Sequence, residues 1–274
     1  MNYICFYHSP CKDGEMSKMI WKYKHPKTVF FPWIHANEKE NVHFLRKFKN
    51  ENIVFLDYCP KKEYLNNHNK YLIIDHHYNA INNMKESDNI KMFCDSELSG
   101  CMLTWDYLYP ETPYPISIYH IGQADIYNFI DADTEPFYIS YKEYNLDYNE
   151  LINLTKNSKT YQNIISEGLK KMAVYKLEAL TCFYTSSTET EKLNNIEYKV
   201  VKIYCDKYHL YKYLIEIARI NFKDANVLKI QKNKGKKISY SLRSIDGTSV
   251  DGIARKYAGN GHPLAAGYTI EMKD

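Results

Sequence analysis

Seven cysteines are too few and too scattered for a disulfide framework. They stand at positions 5, 11, 59, 94, 101, 182 and 205, an odd number with no CxxC pair. A chain of 274 residues has no need of such a scaffold, so reduced intracellular thiols are expected. Long apolar runs are missing as well, and none approaches the length of a transmembrane helix. The start, Met1-Asn-Tyr-Ile-Cys-Phe-Tyr-His8, lacks a basic region followed by a long apolar stretch, so it reads as a first strand and not as a signal peptide. A strong net charge is missing too. At +3, bulk charge gives no argument for nucleic-acid binding, and any anionic ligand must be held by local Lys, Arg or metal. No internal repeat and no low-complexity tract is present. The expectation is a cytoplasmic protein, in the host cytoplasm if the source is a virus, with no membrane partner.

The length allows one large domain or two modest ones. Hydrophobic residues at 45% and charged residues at 25% are ordinary for a globular chain. Tyrosine is abundant, at 27 residues, alongside much Asn, Lys and Ile. This reads as the codon bias of an AT-rich genome, as in a parasite, a low-GC bacterium or a large DNA virus.

Residues 3–7 read as a strand, followed by a helix from about 14 to 24, a strand at 29–33 and a helical pattern at 37–49. A third strand, 53–56, ends at Asp57. A short helix around 61–68 then leads to a strand at 71–74. Such alternation predicts a mostly parallel sheet with helices on both faces. Helices are expected at 98–109 and 115–123, and a longer helical stretch at 149–185. The polar segment 186–197 lacks apolar periodicity and reads as a linker or a hairpin tip, a candidate domain boundary. After it come a strand (198–204), a helix (207–221), strands near 226–231 and 237–244, a helix (249–258) and a last strand (267–272). The expected fold class is α/β: a parallel-sheet N-terminal domain over 1–185 and a smaller α+β C-terminal domain over 198–274.

The run Tyr71-Leu-Ile-Ile-Asp75-His76-His77 carries the most chemistry. If 71–74 is a buried parallel strand, an acid and two imidazoles emerge at its C-terminal end, where open α/β sheets place their sites. Three other segments match it. They are His8-Ser-Pro-Cys11-Lys-Asp13-Gly14 after the first strand, Asp57 after the third, and Asp125 in His120-Ile-Gly-Gln-Ala-Asp125. A lone Asp after a strand is usually a cap or turn residue. Four such segments, three of them at one sheet edge, are hard to explain as caps. Carboxylate and imidazole donors suit divalent Mn, Fe, Co or Zn. An acid shared by two ions would build a two-metal site able to activate water against a phosphoryl group.

In these segments the chain resembles the DHH phosphoesterase superfamily. Asp75-His76-His77 stands as the name-giving motif, Tyr7-His8 to Gly14 looks like the first motif, Asp57 like the second and Asp125 like the fourth. Gly259-Asn-Gly261-His262-Pro-Leu-Ala-Ala-Gly267 is similar to the GGGH-x-x-AAG signature of the DHH-associated C-terminal domain, and Arg243-Ser244 precedes it. The resemblance implies two divalent metal ions, Mn first, with Co, Fe or Zn as alternatives. His8 and Asp57 would bind one ion, with Asp57 bridging. Asp13, Asp57, His77 and Asp125 would bind the other. Asp75 would hold an imidazole, and His76 would face the scissile phosphate or the leaving group. Arg243, Ser244, Gly261 and His262 would bind the far end of the substrate.

Two departures matter. Where many members have a first Asp, this chain has Cys11, as in the NrnB-like oligoribonucleases that it most resembles. Cys11 is either a thiolate ligand favouring a softer metal or a bystander. Asn260 stands where the signature has Gly, and Asn tolerates a positive φ. Without the resemblance, the small residues around 261 could form a helix-packing turn and Arg243 a surface ion pair. Lys232 to Lys237 reads as a hairpin tip. Tyr127, Phe129 and Trp33 could stack a base, although aromatics near strand ends are more often core. His25, His35, His43, His68 and His209 show no partner pattern and read as surface residues.

The sequence thus points to a metal-dependent phosphodiesterase hydrolysing short single-stranded oligonucleotides, with a cyclic-nucleotide or cyclic-dinucleotide phosphodiesterase and a 3′-phosphoadenosine 5′-phosphate phosphatase as rivals. The rival of another class is an inactive DHH binding module, against which stands the full ligand set. The sequence leaves a monomer and a homodimer both open.

Overall fold

A computed structural model describes residues 2–193 and 195–271. The chain divides into two units, 1–169 and 170–274.

The first unit is built on β1 (Ile4–His8), α1 (Lys12–Lys24), β2 (Val29–Trp33), α2 (Glu38–Leu45), β3 (Asn52–Leu56), β4 (Lys70–Asp75), α3 (Tyr78–Asn82) and β5 (Ile90–Cys94). The five strands form a wholly parallel sheet in the order β2-β1-β3-β4-β5. Period-two alternation sends successive side chains to opposite faces. Ile4, Phe6, Ile53, Phe55 and Ile73 pack with Val42 and Leu45 of α2 on one face. Cys5, Tyr7, Val54, Leu56 and Ile74 pack with Trp21 of α1 and Leu103 on the other. Leu103 belongs to α4 (Gly100–Leu108), which is followed by α5 (Ile116–Asp125), α6 (Thr134–Ser140) and α7 (Tyr148–Ile152). The expected α/β class, with helices on both faces of a parallel sheet, is the one the chain adopts.

Some local expectations fail for identifiable reasons. Residues 61–68 hold only a single turn of 3-10 helix at Lys62–Tyr64. Beyond it, the Asn66 side chain accepts from the N–H groups of His68 and Asn69, an Asx turn that competes with helix. Strand β5 gave no sequence signal, since as an edge strand it alternates buried with more exposed positions. The stretch 149–185 is two helices, α7 and α8 (Lys159–Cys182). α7 opens on a capping box of Asp147 and Glu150, and Ser158 accepts from Tyr161 N–H at the start of α8.

The second unit contains β6 (Ser187–Leu193), β7 (Ile196–Tyr204), α9 (Tyr211–Asn221), β8 (Val227–Lys234), β9 (Lys237–Ser244), α10 (Asp251–Lys256), β10 (Asn260–His262) and β11 (Ala265–Glu271). Its sheet runs β10-β11-β9-β8-β7-β6 and is antiparallel except for the β7–β8 pair. The segment 186–197 is therefore no linker. It supplies β6, paired antiparallel along β7, and a solvated edge strand carries charges in place of apolar periodicity. The division between units falls inside α8. Tyr161 and Ile164 enter a core of the first unit, while Met172, Tyr175 and Ala179 enter a core of the second.

Candidate metal centre

Three strands of the first sheet end in donors. β1 ends at His8, β3 is followed by Asp57, and β4 ends at Asp75 with His76 and His77 beyond. Parallel strands side by side bring these C-terminal ends together. Asp57 has φ 55°, the left-handed region, which Asp tolerates better than most residues. Asp13 comes from the first turn of α1 and Asp125 from the last residue of α5.

The donors converge. His8 Nδ1 lies 3.1 Å from Asp57 Oδ2. His76 Nε2 lies 3.2 Å from Asp57 Oδ1, 3.3 Å from Asp125 Oδ2 and 3.8 Å from Asp13 Oδ2. Donor atoms of His8, Cys11 and Asp57 lie within 4.8 Å of one another, as do those of Asp57, His76 and His77 and those of Asp13, His76 and Asp125. Asp57 thus offers one oxygen towards His8 and the other towards His76, the disposition of a carboxylate shared by two positions.

His76 and His77 are placed differently from one another. His76, given the substrate-facing part, is the imidazole among three carboxylates. His77, given a ligand's part, bonds through Nδ1 to Asp75 Oδ1 at 2.7 Å, lies 4.0 Å from Asp57 Oδ1, and has a side chain 45% exposed. Side-chain rotation at adjacent positions decides this, and spacing cannot show it. Asp75 does hold an imidazole, that of His77.

Asp13 is fully buried, and both its oxygens accept backbone N–H groups at the start of α4, Gly100 at 2.6 Å and Cys101 at 2.8 Å. A helix N-terminus favours this negative charge. Gly100 is required for it. A Cβ there would lie 2.6 Å from Asp57 Cβ and 2.9 Å from Asp13 Oδ2. Likewise a Cβ on Gly14 would lie 2.2 Å from the His8 carbonyl oxygen. The sequence reading missed the part of Gly100 because its partner is 87 residues away. His35 is exposed, as expected, and its ring stands 5.0 Å from that of His8.

Electrostatics mark the centre as short of positive charge. Burial, then the charges of Asp57 and Asp125, push Asp13 well above its ordinary range. Burial and Asp57 raise Asp125 to about 6. For Asp57 burial acts upward, but the imidazoles of His76 and His8 outweigh it and hold the group below the usual carboxylate range. Burial acts downward on His76, and Asp57, Asp13 and Asp125 outweigh it to give about 9. Burial and then Asp57 push the Cys11 thiol up. Asp57 Oδ1 and His76 Nε2 are buried without a hydrogen bond, since their 3.2 Å contact misses hydrogen-bonding geometry. Buried polar atoms without partners are rare. Atoms so placed, on a hard-to-borderline donor set, fit divalent cations.

The substrate residues expected in the second unit are placed differently from one another. The register β10-β11-β9 puts His262, Ala265 and Arg243 in one row. Arg243 lies over the Tyr211 ring, 5.7 Å from its centroid, and donates to the Leu242 carbonyl at 2.9 Å. Ser244 is buried, and its Oγ accepts from Gly247 N–H within a turn, so it is committed to the fold and not open to a ligand. Gly261 has φ 146° inside a β-hairpin, where a Cβ would meet Ala266 Cα at 2.4 Å. The glycine-rich segment is thus neither a free loop nor a helix-packing turn. The side chain of Asn260 lies outside the described residues. Trp33 is fully buried.

No protein-family model matches the chain. It is 28% identical, over 96% of its length, to an uncharacterized protein of Acanthamoeba polyphaga mimivirus, of which it spans only 66%. Among solved structures it is similar to one described as the DHH domain of a member of the s1p family of ribosomal proteins, with TM-score 0.61, 15% identity, and coverage of 99% of this chain and 83% of the other. The chain has the DHH-domain fold. It is also similar to RecJ from Thermus thermophilus in complex with Mn2+, at TM-score 0.48 and 12% identity, over 99% of this chain and 49% of that one. Among the described residues no helix is long and apolar enough to cross a membrane.

Proposed function

We propose that the chain is a metal-dependent phosphodiesterase that hydrolyses short oligonucleotides. The observation that carries this reading is Asp57, one buried carboxylate shared between the donor group of His8 and Cys11 and that of His76. The motif resemblance supports the substrate class. Divalent ions held there would lower the pKa of water and offset charge on a phosphoryl group.

The chain's own residues do the rest. In this reading His8, Asp13, Asp57, His76 and Asp125 hold the ions, with Cys11 as a further donor to the first position. The N–H groups of Gly100 and Cys101 fix Asp13 so that its orientation costs nothing during turnover. His77 is the proton donor to the leaving oxygen. Asp75 fixes its Nδ1, and that bond first of all raises His77 above its ordinary value, which keeps a proton available. For Arg243 and His262, in one row of the second sheet, the motif resemblance alone supports a part in binding substrate.

The test is purified protein with Mn2+, Co2+ or Mg2+ against di- to pentanucleotides, cyclic dinucleotides and 3′-phosphoadenosine 5′-phosphate. Metal-dependent cleavage of the linear oligonucleotides, abolished by chelator, is expected. Cleavage of the cyclic substrates or the bisphosphate alone would move the substrate assignment, and no hydrolysis of any would refute the reading.

A further inference from the structure

Of the three aromatics able to stack a base, Trp33 is excluded by burial, but Tyr127 is 76% exposed and Ile130 91% exposed. Tyr127 stands two positions beyond Asp125. Helix α5 ends there in a Schellman motif. Tyr127 N–H donates to the Ala124 carbonyl at 3.2 Å, and Asn128 N–H donates to the Gln123 carbonyl at 2.8 Å. This motif needs one residue in the left-handed region, and Tyr127 takes it, with φ 57°. Glycine is usual at that position and Asn is next, because a Cβ is disfavoured there. A bulky aromatic in that conformation is an outlier. Asn128 follows directly, and its side-chain amide donates to Gln123 Oε1. So the cap itself gains nothing from tyrosine.

The surroundings of Tyr127 are aromatic, and its backbone follows directly on the helix end that carries Asp125. The Phe129 ring lies 6.4 Å from that of Tyr127, edge to face. Burial first, then the charges of Asp125, Cys11 and Asp13, push the Tyr138 hydroxyl up, with Tyr127 a smaller contributor. Lys12 Nζ sits 4.0 Å from the Tyr138 ring centroid and donates to the Tyr138 carbonyl.

We infer that Tyr127 is a nucleobase-stacking subsite, which receives the base next to the phosphate held at the metal centre. The inference rests on the phosphodiesterase reading and deepens it. A substrate of this centre carries a base, and base-free pyrophosphate or polyphosphate lacks the group that Tyr127 receives. Stacking is tolerant of base identity, because every base has a π-face.

The experiment compares the Mn2+-loaded full chain with Tyr127→Gly and Tyr127→Phe. Calorimetric titrations use adenosine 5′-monophosphate and inorganic phosphate as probes. For Tyr127→Gly, affinity for the nucleotide should fall about 5- to 150-fold, the range of base–aromatic stacking. Phosphate affinity and Mn2+ content should stay at the wild-type values. Glycine relieves the left-handed position, so Tm should rise by about 2–4 °C. Tyr127→Phe keeps the ring and should keep the affinity. Equal nucleotide binding by wild type and Tyr127→Gly would overturn the inference, as would a wild type that binds the nucleotide no more tightly than phosphate. A parallel loss of Mn2+, phosphate and nucleotide would also overturn it, by showing a purely structural residue. Absence of oligonucleotide hydrolysis in the wild type is a different result: it refutes the phosphodiesterase reading, while the titrations still decide the subsite.

Discussion

Replacing Asp57 with Asn removes one charge and almost no volume from the point where the donor groups meet. Asn also tolerates the left-handed φ of 55° that Asp57 adopts, so the backbone has no reason to move. The carboxylate has Oδ2 3.1 Å from His8 and Oδ1 3.2 Å from His76, and a single substitution therefore weakens both positions. Loss of a residue that merely supports a ligand costs about 10- to 100-fold in metal affinity. A shared ligand should cost at least about 100-fold, or roughly 2.7 kcal/mol, at each position. The metal-free protein should change little. The depressed pKa of Asp57 contributes stability above its unfolded value, lost as pH falls, and Asn forfeits it. The same change removes a negative charge that raises Asp13 and Asp125, which acts the other way. Metal at about 100 times its dissociation constant stabilises the wild type by about 2.7 kcal/mol. For a chain of this size that is a Tm gain of about 5–10 °C. Calorimetry with and without Mn2+, and equilibrium dialysis for stoichiometry, should show that gain and two ions in the wild type and neither in Asp57→Asn. A variant that keeps both ions and its Tm gain would refute a shared carboxylate, and full turnover by it would refute the two-metal reading.

Four further outcomes are expected. Cys11→Ala should lower metal content and Cys11→Asp should shift preference towards Mn2+, whereas unchanged stoichiometry and preference by metal analysis would make Cys11 a bystander. Gly100→Ala drives a methyl group to within 2.6 Å of Asp57 Cβ, and should cost about 1–3 kcal/mol in urea unfolding together with most of the activity; wild-type values for both would show that the cradle yields freely. Ions must displace protons from Asp125, raised to about 6, and from His76, raised to about 9, so Mn2+ affinity should climb with pH through both values and level off above about 9; a flat binding profile between pH 5 and 9 would show that these groups do not bind the metal. Arg243→Ala and His262→Ala should raise KM more than they lower kcat, with a loss of about 10- to 150-fold in kcat/KM and full metal content; a pure kcat effect would place them at the chemistry instead.

The sequence by itself determined four of the five strands of the first sheet and which donor-type residues follow three of them. Buried parallel strands appear as short apolar runs, and β1, β3 and β4 each hand over to His, Asp or Asp-His-His at the C-terminal end, so the strands and the convergence of these side chains were legible together. Where burial is one-sided or absent that signal fails. Edge strand β5 carries no such signal, and edge strand β6 reads as a linker or a hairpin tip. Which of two adjacent imidazoles joins the carboxylates was decided only by the tertiary structure, since His76 and His77 differ in the direction of their side chains and not in spacing. The same holds for Gly100, whose missing Cβ matters only because α4 brings it against Asp13 and Asp57. Ser244 and Arg243 are neighbours in sequence, yet alternation across a strand commits one to the interior and leaves the other half-buried. The division within α8 was equally hidden, because one continuous helical pattern feeds two separate cores. Sequence reports what each residue can do and how buried its run is; the long-range contacts that select among those capacities exist only once the chain has folded.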